Sequence, residues 1–212
     1  KQPLGKIIAN AETISSPLEG PLRGDYANYA KDIASAGRHL MDLVNDLSDL
    51  EAIERPGFAI AADEIDLVDL AHRAAGLLAV KSADHQIRID LPEKDCEMPA
   101  NGEFRRVLQI LVNLLGNAIR YSPDGSVIKV KVTKRDERAT ISVSDQGDGI
   151  AKADQEKIFE KFERLGRSGD GGSGLGLFIS RRLANAMSGS LTVDSDTGKG
   201  TTFTLSLPGR ET

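Results

Sequence analysis

The features of extracellular and membrane proteins are scarce in this sequence. Its 212 residues include one cysteine, Cys96, which cannot form an internal disulfide and favours a reducing compartment. No apolar run approaches the roughly 20 residues of a membrane-spanning helix, and no segment resembles a signal peptide. We expect a cytoplasmic region without membrane contact. The start at Lys1 instead of Met suggests a missing upstream region, which could hold a sensor or a membrane anchor.

Clusters of basic residues are absent as well. The 27 Lys and Arg are scattered among 32 Asp and Glu, for a net charge of -5, so no basic stripe for nucleic acid is formed. Nucleic acid is therefore not an expected partner. The apolar fraction of 40% is ordinary for a soluble globular chain of one medium or two small domains.

The first 54 residues carry the pattern of a helical hairpin. One stripe of apolar or small residues alternates spacings of four and three, which is the period of a coiled-coil seam: Tyr26, Ala30, Ile33, Gly37, Leu40, Val44 and Leu47. The opposite stripe is polar and is expected to face solvent: Asp32, Ser35, His39, Asp42, Asp46 and Asp49. A shorter apolar stripe and a turn rich in Pro and Gly precede them. Because two helices cannot enclose a core, we expect a homodimeric four-helix bundle.

A mixed pattern follows the helix break at residues 55–57. Helices are predicted at 67–82, 103–121 and 175–187, and strands at 86–91, 126–133, 139–145, 190–194 and 201–207. We therefore expect an α+β chain, with the hairpin domain over residues 1–56 and an α/β sandwich domain over residues 57–212.

The predicted helix 103–121 carries an unusual polar stripe. Asn113 and Asn117 stand at positions i and i+4, followed by Arg120, although Asn is a poor helix former. Amide oxygens suit a hard cation such as Mg2+, and a guanidinium suits phosphate. The alternative is that both amides bond to nearby backbone. The neighbouring stripe is predicted to be core: Phe104, Leu108, Leu111, Leu115 and Ala118.

A carboxylate and two glycines close the strand at 139–145. Strand alternation places Asp145 on the inward face with Ile141 and Val143, so it should be partly buried and need a donor, such as the amine of a purine. Gly147 and Gly149 would let a flat ligand approach the backbone. The alternative is an ordinary Asp at the end of a strand.

A glycine-rich run at residues 171–177 stands directly before a predicted helix. Free backbone N–H groups at a helix start favour an anion such as a polyphosphate, although a flexible loop is the alternative. The run is neither a Walker loop nor a dinucleotide fingerprint. Residues 198–203 are predicted to be a hairpin turn.

Together these segments resemble the conserved boxes of bacterial sensor histidine kinases, in the family's order. The N box is matched by NLLGNAIRYS at 113–122, the G1 box by DQGDGI at 145–150 and the F box by FEKFER at 159–164. The G2 box is matched by GSGLGL at 172–177 and the last glycine motif by GKGTTF at 198–203. The helical hairpin resembles the dimerisation and phosphoacceptor region of the same family.

The resemblance implies a protein-histidine kinase that uses ATP and Mg2+ and passes phosphate to the receiver domain of a response regulator. Asp145 would bind the adenine amine, Asn117 the Mg2+ ion, and Asn113 would lie beside the γ-phosphate. Arg120 and Tyr121 would contact phosphate and nucleoside, and glycines of the G2 box would hinge a lid over about 164–173. The remaining implied nucleotide-binding residues are Gly147, Gly149, Ile150, Phe159, Phe162, Gly172, Ser173, Gly174, Leu175, Gly176, Leu177 and Thr202.

The phosphoacceptor histidine is not among the residues that match the family. It would precede Pro3 by five residues, upstream of Lys1, and His39, His72 and His85 match no acceptor motif. We therefore expect this chain to bind nucleotide without phosphorylating itself. Asp148 adds a negative charge near the expected phosphates, which would weaken ATP binding.

Alternative functions remain at this point. An ATPase of the wider GHKL family, which includes gyrase, Hsp90 and MutL, would carry Glu in place of Asn113 and would lack the hairpin. A pseudokinase or scaffold would bind partners without nucleotide. A phosphatase-biased regulator would use a polar residue such as Gln2 against the response regulator, although surface polarity is the simpler interpretation of Gln2.

Overall fold

The computed structural model describes residues 2–15, 24–55, 57–58, 60–61, 63–165 and 173–209. Two helices come first, α1 (Gln2–Ser15) and α2 (Gly24–Glu54), and they pack together as the predicted helical hairpin. Small residues allow the close approach, since a Cβ atom on Gly37 would lie 2.7 Å from Cγ1 of Ile8. Ala11, Ala30 and Ala34 are buried in this interface.

The large side chains of the predicted seam are exposed in the single chain, whereas its small residues Ala30 and Gly37 are buried against α1. Ile33 and Leu47 are both 51% exposed, and Leu40 is 49% exposed. Large apolar side chains arranged along one helix face in this way are typical of a surface that another helix covers. The homodimer stays a prediction, and the single chain presents the surface that it requires.

The described residues after the hairpin form seven strands in two sheets. β1 (Asp63–Asp66) pairs with β3 (Pro99–Gly102), and a five-stranded sheet has the order β2-β4-β5-β7-β6. Its strands are β2 (Arg88–Asp90), β4 (Val127–Arg135), β5 (Arg138–Ser144), β6 (Ser190–Ser195) and β7 (Thr201–Pro208). β2 and β4 are parallel and the other neighbours are antiparallel, including the predicted hairpin of β6 and β7. The α+β class is confirmed.

In the described part of the chain, four α-helices accompany the sheets: α3 (Leu67–Leu77), α4 (Ala79–Asp84), α5 (Phe104–Tyr121) and α6 (Gly176–Ala186). The side chain of Asp66 starts α3 by accepting a hydrogen bond from the backbone N–H of Val68 at 3.0 Å. The single helix predicted at 67–82 is wrong, because the chain breaks at Leu78 into α3 and α4. The described helices include none that is both long and apolar enough to cross a membrane.

The core lies between α5 and the sheet, and it covers more of α5 than predicted. Leu111, Leu115 and Ala118 are buried as expected, but Phe104 and Leu108 are only half-buried. Ile110, which lies on the same helix face as Asn113 and Asn117, is fully buried. The reason is that α5 contacts α3 and α6 as well as β5. Each fully buried Leu or Ile contributes roughly 1.5–3 kcal/mol, so α5 is held firmly at the centre of the fold.

Candidate functional site

Asp145 is fixed at the end of β5 by two backbone donors. Its Oδ1 atom accepts hydrogen bonds from the N–H of Gly147 at 2.9 Å and of Thr201 at 3.0 Å. Its own N–H donates to the carbonyl oxygen of Thr201 at 2.9 Å. Gly147 and Thr201 both donate to Oδ1, which leaves Oδ2 of Asp145 to accept a hydrogen bond from a ligand.

Burial raises the pKa of the Asp145 carboxyl, and the hydrogen bonds from Gly147 and Thr201 partly oppose that shift. Burial outweighs the two donors because the charged form loses water on the side that faces the cavity. A partly desolvated carboxylate in a cleft is typical of a functional site. The predicted inward position of Asp145 is confirmed.

The Asp145 carboxylate stands on the wall of a narrow cavity, here named the apolar cavity. Gly147 and Gly149 form one wall, and apolar side chains, including Ile150, Ile158, Leu177 and Phe203, form much of the rest. The charged residues Asp148, Glu163 and Arg164 also line this cavity. A Cβ atom on Gly147 would lie 2.5 Å from the carbonyl oxygen of Tyr121, so glycine is required there. A largely apolar slot with the free Oδ2 atom of Asp145 suits a flat ring that carries an amine.

A second cavity, here named the polar cavity, adjoins the first. Asn117, Tyr121 and Leu177 line both cavities, and Asn113, Gly116 and Arg120 continue the same face of α5 into the polar one. Asn113 donates from Nδ2 to the Ser180 hydroxyl at 3.0 Å, which leaves its amide oxygen as an acceptor. The predicted polar stripe of α5 therefore lies along one continuous cleft.

Among the described residues, the Asn117 side chain has no hydrogen-bond partner and Arg120 forms no salt bridge. Free amide oxygens and a guanidinium in one cavity fit a phosphate chain with a hard cation. The described residues contain no cluster of three or more His, Cys, Asp or Glu that could hold a metal. A cation here would have amide oxygens and the ligand's own oxygens for partners.

The glycine-rich segment reaches this cleft at the start of α6. Gly174 and Gly176 line the polar cavity, and Gly174 has a positive φ of 71° with its Cα packed on the backbone of Phe162. The Ser173 hydroxyl accepts a hydrogen bond from the N–H of Leu175 at 3.1 Å. Gly172 and most of the predicted lid lie outside the described residues.

Helix α2 covers the polar cavity, so the expectation of a fully solvated acidic stripe is wrong. Asp42 and Asp46 line the cavity, and Asp46 accepts a hydrogen bond from the Ser173 hydroxyl. Asp49 accepts from Nη1 of Arg106 at 2.9 Å and from Nε2 of Gln109 at 2.7 Å. Burial raises the pKa of the Asp46 carboxyl, the hydrogen bond from Ser173 opposes that shift, and the charges of Asp42 and Asp49 add to it.

Four of the predicted binding residues line neither cavity. Phe159 is buried behind the cleft, edge-on to Phe203 with ring centroids 6.3 Å apart. Phe162 is exposed and holds the glycine-rich segment through its N–H, which donates to the Gly174 carbonyl oxygen at 3.0 Å. Leu175 is buried in the core. Thr202 lies on the other face of β7, where its hydroxyl bonds to that of Ser144 at 2.8 Å.

Strand alternation explains the error at Thr202, because Thr201 and Phe203 are the residues of β7 that line the apolar cavity. Two adjacent threonines give no sequence signal for which one faces inward.

The sequence analysis also missed Lys81, which lines the polar cavity. Lys81 belongs to the short helix α4, which lies outside the conserved boxes.

Two of the histidines have structural partners. The Nε2 atom of His72 lies 3.0 Å from the carbonyl oxygen of Pro92, and Nδ1 of His85 lies 2.8 Å from Oδ1 of Asp124. Neither ring lines the apolar or the polar cavity. The side chain of His39 is outside the described part of the chain.

Comparisons with known proteins identify the family of this chain. Residues 102–211 match the family described as histidine kinase-, DNA gyrase B-, and HSP90-like ATPase. The chain is 32% identical over 213 residues to the circadian input-output histidine kinase CikA of Synechococcus elongatus, covering 98% of this chain and 28% of CikA. It is 34% identical over 212 residues to the histidine protein kinase DivJ of Caulobacter vibrioides, covering 98% of this chain and 35% of DivJ.

Solved structures show the same likeness. ShkA, crystallised at full length in complex with AMPPNP, superposes with a TM-score of 0.77 at 25% identity, over 100% of this chain and 44% of ShkA. The mycobacterial sensor histidine kinase MprB gives a TM-score of 0.62 at 27% identity, over 72% of this chain and 100% of the solved MprB chain. The chain thus spans about a third or less of CikA and DivJ. It belongs to the histidine kinase-, DNA gyrase B-, and HSP90-like ATPase family, and CikA and DivJ, two of its relatives, are histidine kinases.

Proposed function

We propose that this chain is the catalytic region of a sensor histidine kinase, which binds ATP with Mg2+ and donates the γ-phosphoryl group to a histidine. The observation that carries the proposal is the continuous cleft, with Asp145 in its apolar part and Asn113, Asn117 and Arg120 in its polar part. In this proposal residues 1–56 form the dimerisation hairpin and residues 57–212 form the ATP-binding domain, located in the cytoplasm where ATP is.

Asp145 would select the base. Its Oδ2 atom is left free by the two backbone donors on Oδ1, so it can accept a hydrogen bond from the exocyclic amine of adenine. A guanine ring offers a carbonyl oxygen at that position, which a carboxylate repels. Gly147 and Gly149 allow the ring to lie against the backbone, and Ile150 and Leu177 cover its faces.

The polar cavity would hold the triphosphate. The amide oxygens of Asn113 and Asn117 fit a Mg2+ ion, and the Arg120 guanidinium fits a phosphate. A bound Mg2+ ion would neutralise the negative charge that builds up during phosphoryl transfer. The side chains of α5 would hold the phosphates in position, because Asn113 is held by Ser180 and seven of the 18 residues of α5 are buried in the core.

The remaining partners follow from the hairpin and from the family. The exposed stripe of α2 supports a homodimer, and the phosphorylated histidine would pass its phosphate to the receiver domain of a response regulator. The family's acceptor position, five residues before Pro3, is not among the 212 residues. Since α1 begins at Gln2, a preceding segment can continue this helix and present a histidine on it.

Adding the acceptor tests the proposal. The 212-residue chain, incubated with radiolabelled ATP and Mg2+, should acquire no acid-labile phosphate. A chain extended at its N-terminus so that a helix-forming segment places histidine five residues before Pro3 should acquire it, and the same extension with glutamine should not. Label on the unextended chain, or none on the histidine-bearing dimer, would contradict the proposal.

A further inference from the structure

A lysine that belongs to none of the conserved boxes lines the polar cavity. Lys81 of α4 stands on the wall of this cavity beside Arg120 of α5, with Asp42 of α2 on the side of the hairpin. The Lys81 side chain is half-buried, and it forms no salt bridge with a described residue. Two cations from separate helices therefore share one partly enclosed space, and neither forms a salt bridge with a residue that the structure describes.

The immediate surroundings of Lys81 disfavour its charged form, although carboxylates of Asp42, Asp46 and Glu163 also line the cavity. Burial lowers the pKa of the Lys81 ammonium, the charge of Arg120 lowers it further, and Asp42 opposes both. Like charges in a partly desolvated cavity repel each other more strongly than they do in water. A polyphosphate placed between the two would turn this repulsion into two attractions, as charge-assisted hydrogen bonds.

We propose that Lys81 is a second phosphate-binding cation of the cleft, which with Arg120 holds the polyphosphate of the nucleotide, and that Asp42 is its counter-charge when no nucleotide is bound. The inference rests on the proposed function, since it assumes that a nucleotide polyphosphate occupies the polar cavity. It assigns the recognition of phosphate to two helices, α4 and α5, and recognition of the base to Asp145 and the other residues of the apolar cavity.

The position of Asp42 predicts that its carboxylate competes with phosphate for Lys81. Because Asp42 belongs to α2, the carboxylate that attracts Lys81 in the empty cleft comes from the hairpin, and phosphate must replace it. Removing the charge of Asp42 should therefore strengthen phosphate binding, whereas removing the charge of Lys81 should weaken it. If Lys81 merely held α2 in place through Asp42, both substitutions would loosen the same contact and change affinity in the same direction.

Calorimetric titration tests this with three ligands, a non-hydrolysable ATP analogue, ADP and adenosine, at one salt concentration. For Lys81→Met we expect about five- to tenfold weaker binding of the ATP analogue, the size typical of one partly exposed charge-assisted contact. Adenosine should bind as it does to the wild type. The control is Lys131→Met, which removes an exposed lysine of β4 and should leave all three affinities unchanged. Asp42→Asn should bind the ATP analogue more tightly, by about two- to fivefold.

The possible outcomes distinguish a failure of the role of Lys81 from a failure of the proposed function. Unchanged binding of the ATP analogue by Lys81→Met would overturn the role of Lys81, and so would an equal loss of adenosine binding. Weaker binding by both Lys81→Met and Asp42→Asn would also overturn it, in favour of a purely structural contact. A wild-type chain that binds neither the ATP analogue nor adenosine would instead overturn the proposed function.

Discussion

The Oδ1 atom of Asp145 accepts a hydrogen bond from the N–H of Thr201 at 3.0 Å, although the two residues are 56 positions apart in the chain. The same loop brings Gly200 so close that a Cβ atom there would lie 2.1 Å from the carbonyl oxygen of Asp145. The last glycine motif, which the sequence indicated only as a turn, is therefore part of the support for the base-binding carboxylate.

This contact predicts different effects for two glycines of one turn. Gly198 and Gly200 have positive φ values of 79° and 82°, but a Cβ atom on Gly198 would meet nothing within 4 Å. Gly198→Ala should cost only the backbone strain, about 1–2 kcal/mol of unfolding free energy. Gly200→Ala should cost about 2–4 kcal/mol, because the clash with Asp145 is added. Urea unfolding of both variants measures the difference, and equal losses would show that the close approach is not present.

Asp145 also predicts a pH dependence of stability in the absence of nucleotide. Its folded-state pKa is raised above the usual 3.8, so the folded protein keeps this proton at pH values where the unfolded chain has lost it. The stabilising contribution is complete at low pH and is lost as pH rises through the raised pKa. Asp145→Asn keeps an oxygen for both backbone donors and carries no charge.

We therefore expect Asp145→Asn to be more stable than the wild type near neutral pH, by less than about 1 kcal/mol because solvent screens the carboxylate. The advantage should shrink as pH falls towards 4, roughly the ordinary pKa of Asp. Urea unfolding at a series of pH values measures it, with the exposed Asp194→Asn as the control. An advantage that grows on acidification would contradict the burial of this charge.

The contact of Asp49 in α2 with Arg106 and Gln109 in α5 predicts a loss of stability that is local to this contact. Asp49→Ala would leave Arg106 and Gln109 without their shared acceptor, at a cost of about 1–2 kcal/mol. Asp32→Ala changes an exposed carboxylate of the same helix and should stay within about 0.5 kcal/mol of the wild type. Hydrogen exchange over residues 42–54 should be faster in the first variant only. Equal protection in both would argue against docking of α2.

The exposed apolar side chains of the hairpin predict that a charge placed among them changes the oligomeric state. Leu40→Glu places a charge in the middle of the proposed dimer interface and should give a monomer in analytical ultracentrifugation, whereas the wild type sediments as a dimer. Lys31→Glu, at another exposed position of α2, should remain dimeric. A wild-type monomer at micromolar concentration would refute the homodimer.

The sequence predicted the parts of the site that depend on local periodicity. Helical spacing placed Asn113, Asn117 and Arg120 on one face of α5, and strand alternation turned Asp145 inward. Both rules act over a few residues, so they hold before any tertiary contact is known. The motif order then fixed the family, which the match over residues 102–211 confirms.

Tertiary contacts account for what the sequence could not predict. Nothing local distinguishes Thr201 from Thr202, because the closeness of Gly200 to Asp145 decides which threonine faces the cavity. Lys81 belongs to a short helix, and its cavity exists only where α2 meets α5. The acidic stripe of α2 has the polarity of a solvated surface, and only the fold shows that Asp46 and Asp49 bond to other elements.

Calorimetric titration of the wild-type chain with an ATP analogue and Mg2+ tests the central claim most directly. We predict saturable binding, loss of at least about tenfold in affinity for Asp145→Asn because the free acceptor oxygen is gone, and no loss for the control Asp194→Asn. A guanine nucleotide should bind far more weakly than the adenine one. Absence of binding to the wild type, or equal affinity of the wild type and Asp145→Asn, would contradict the assignment of this cleft to ATP.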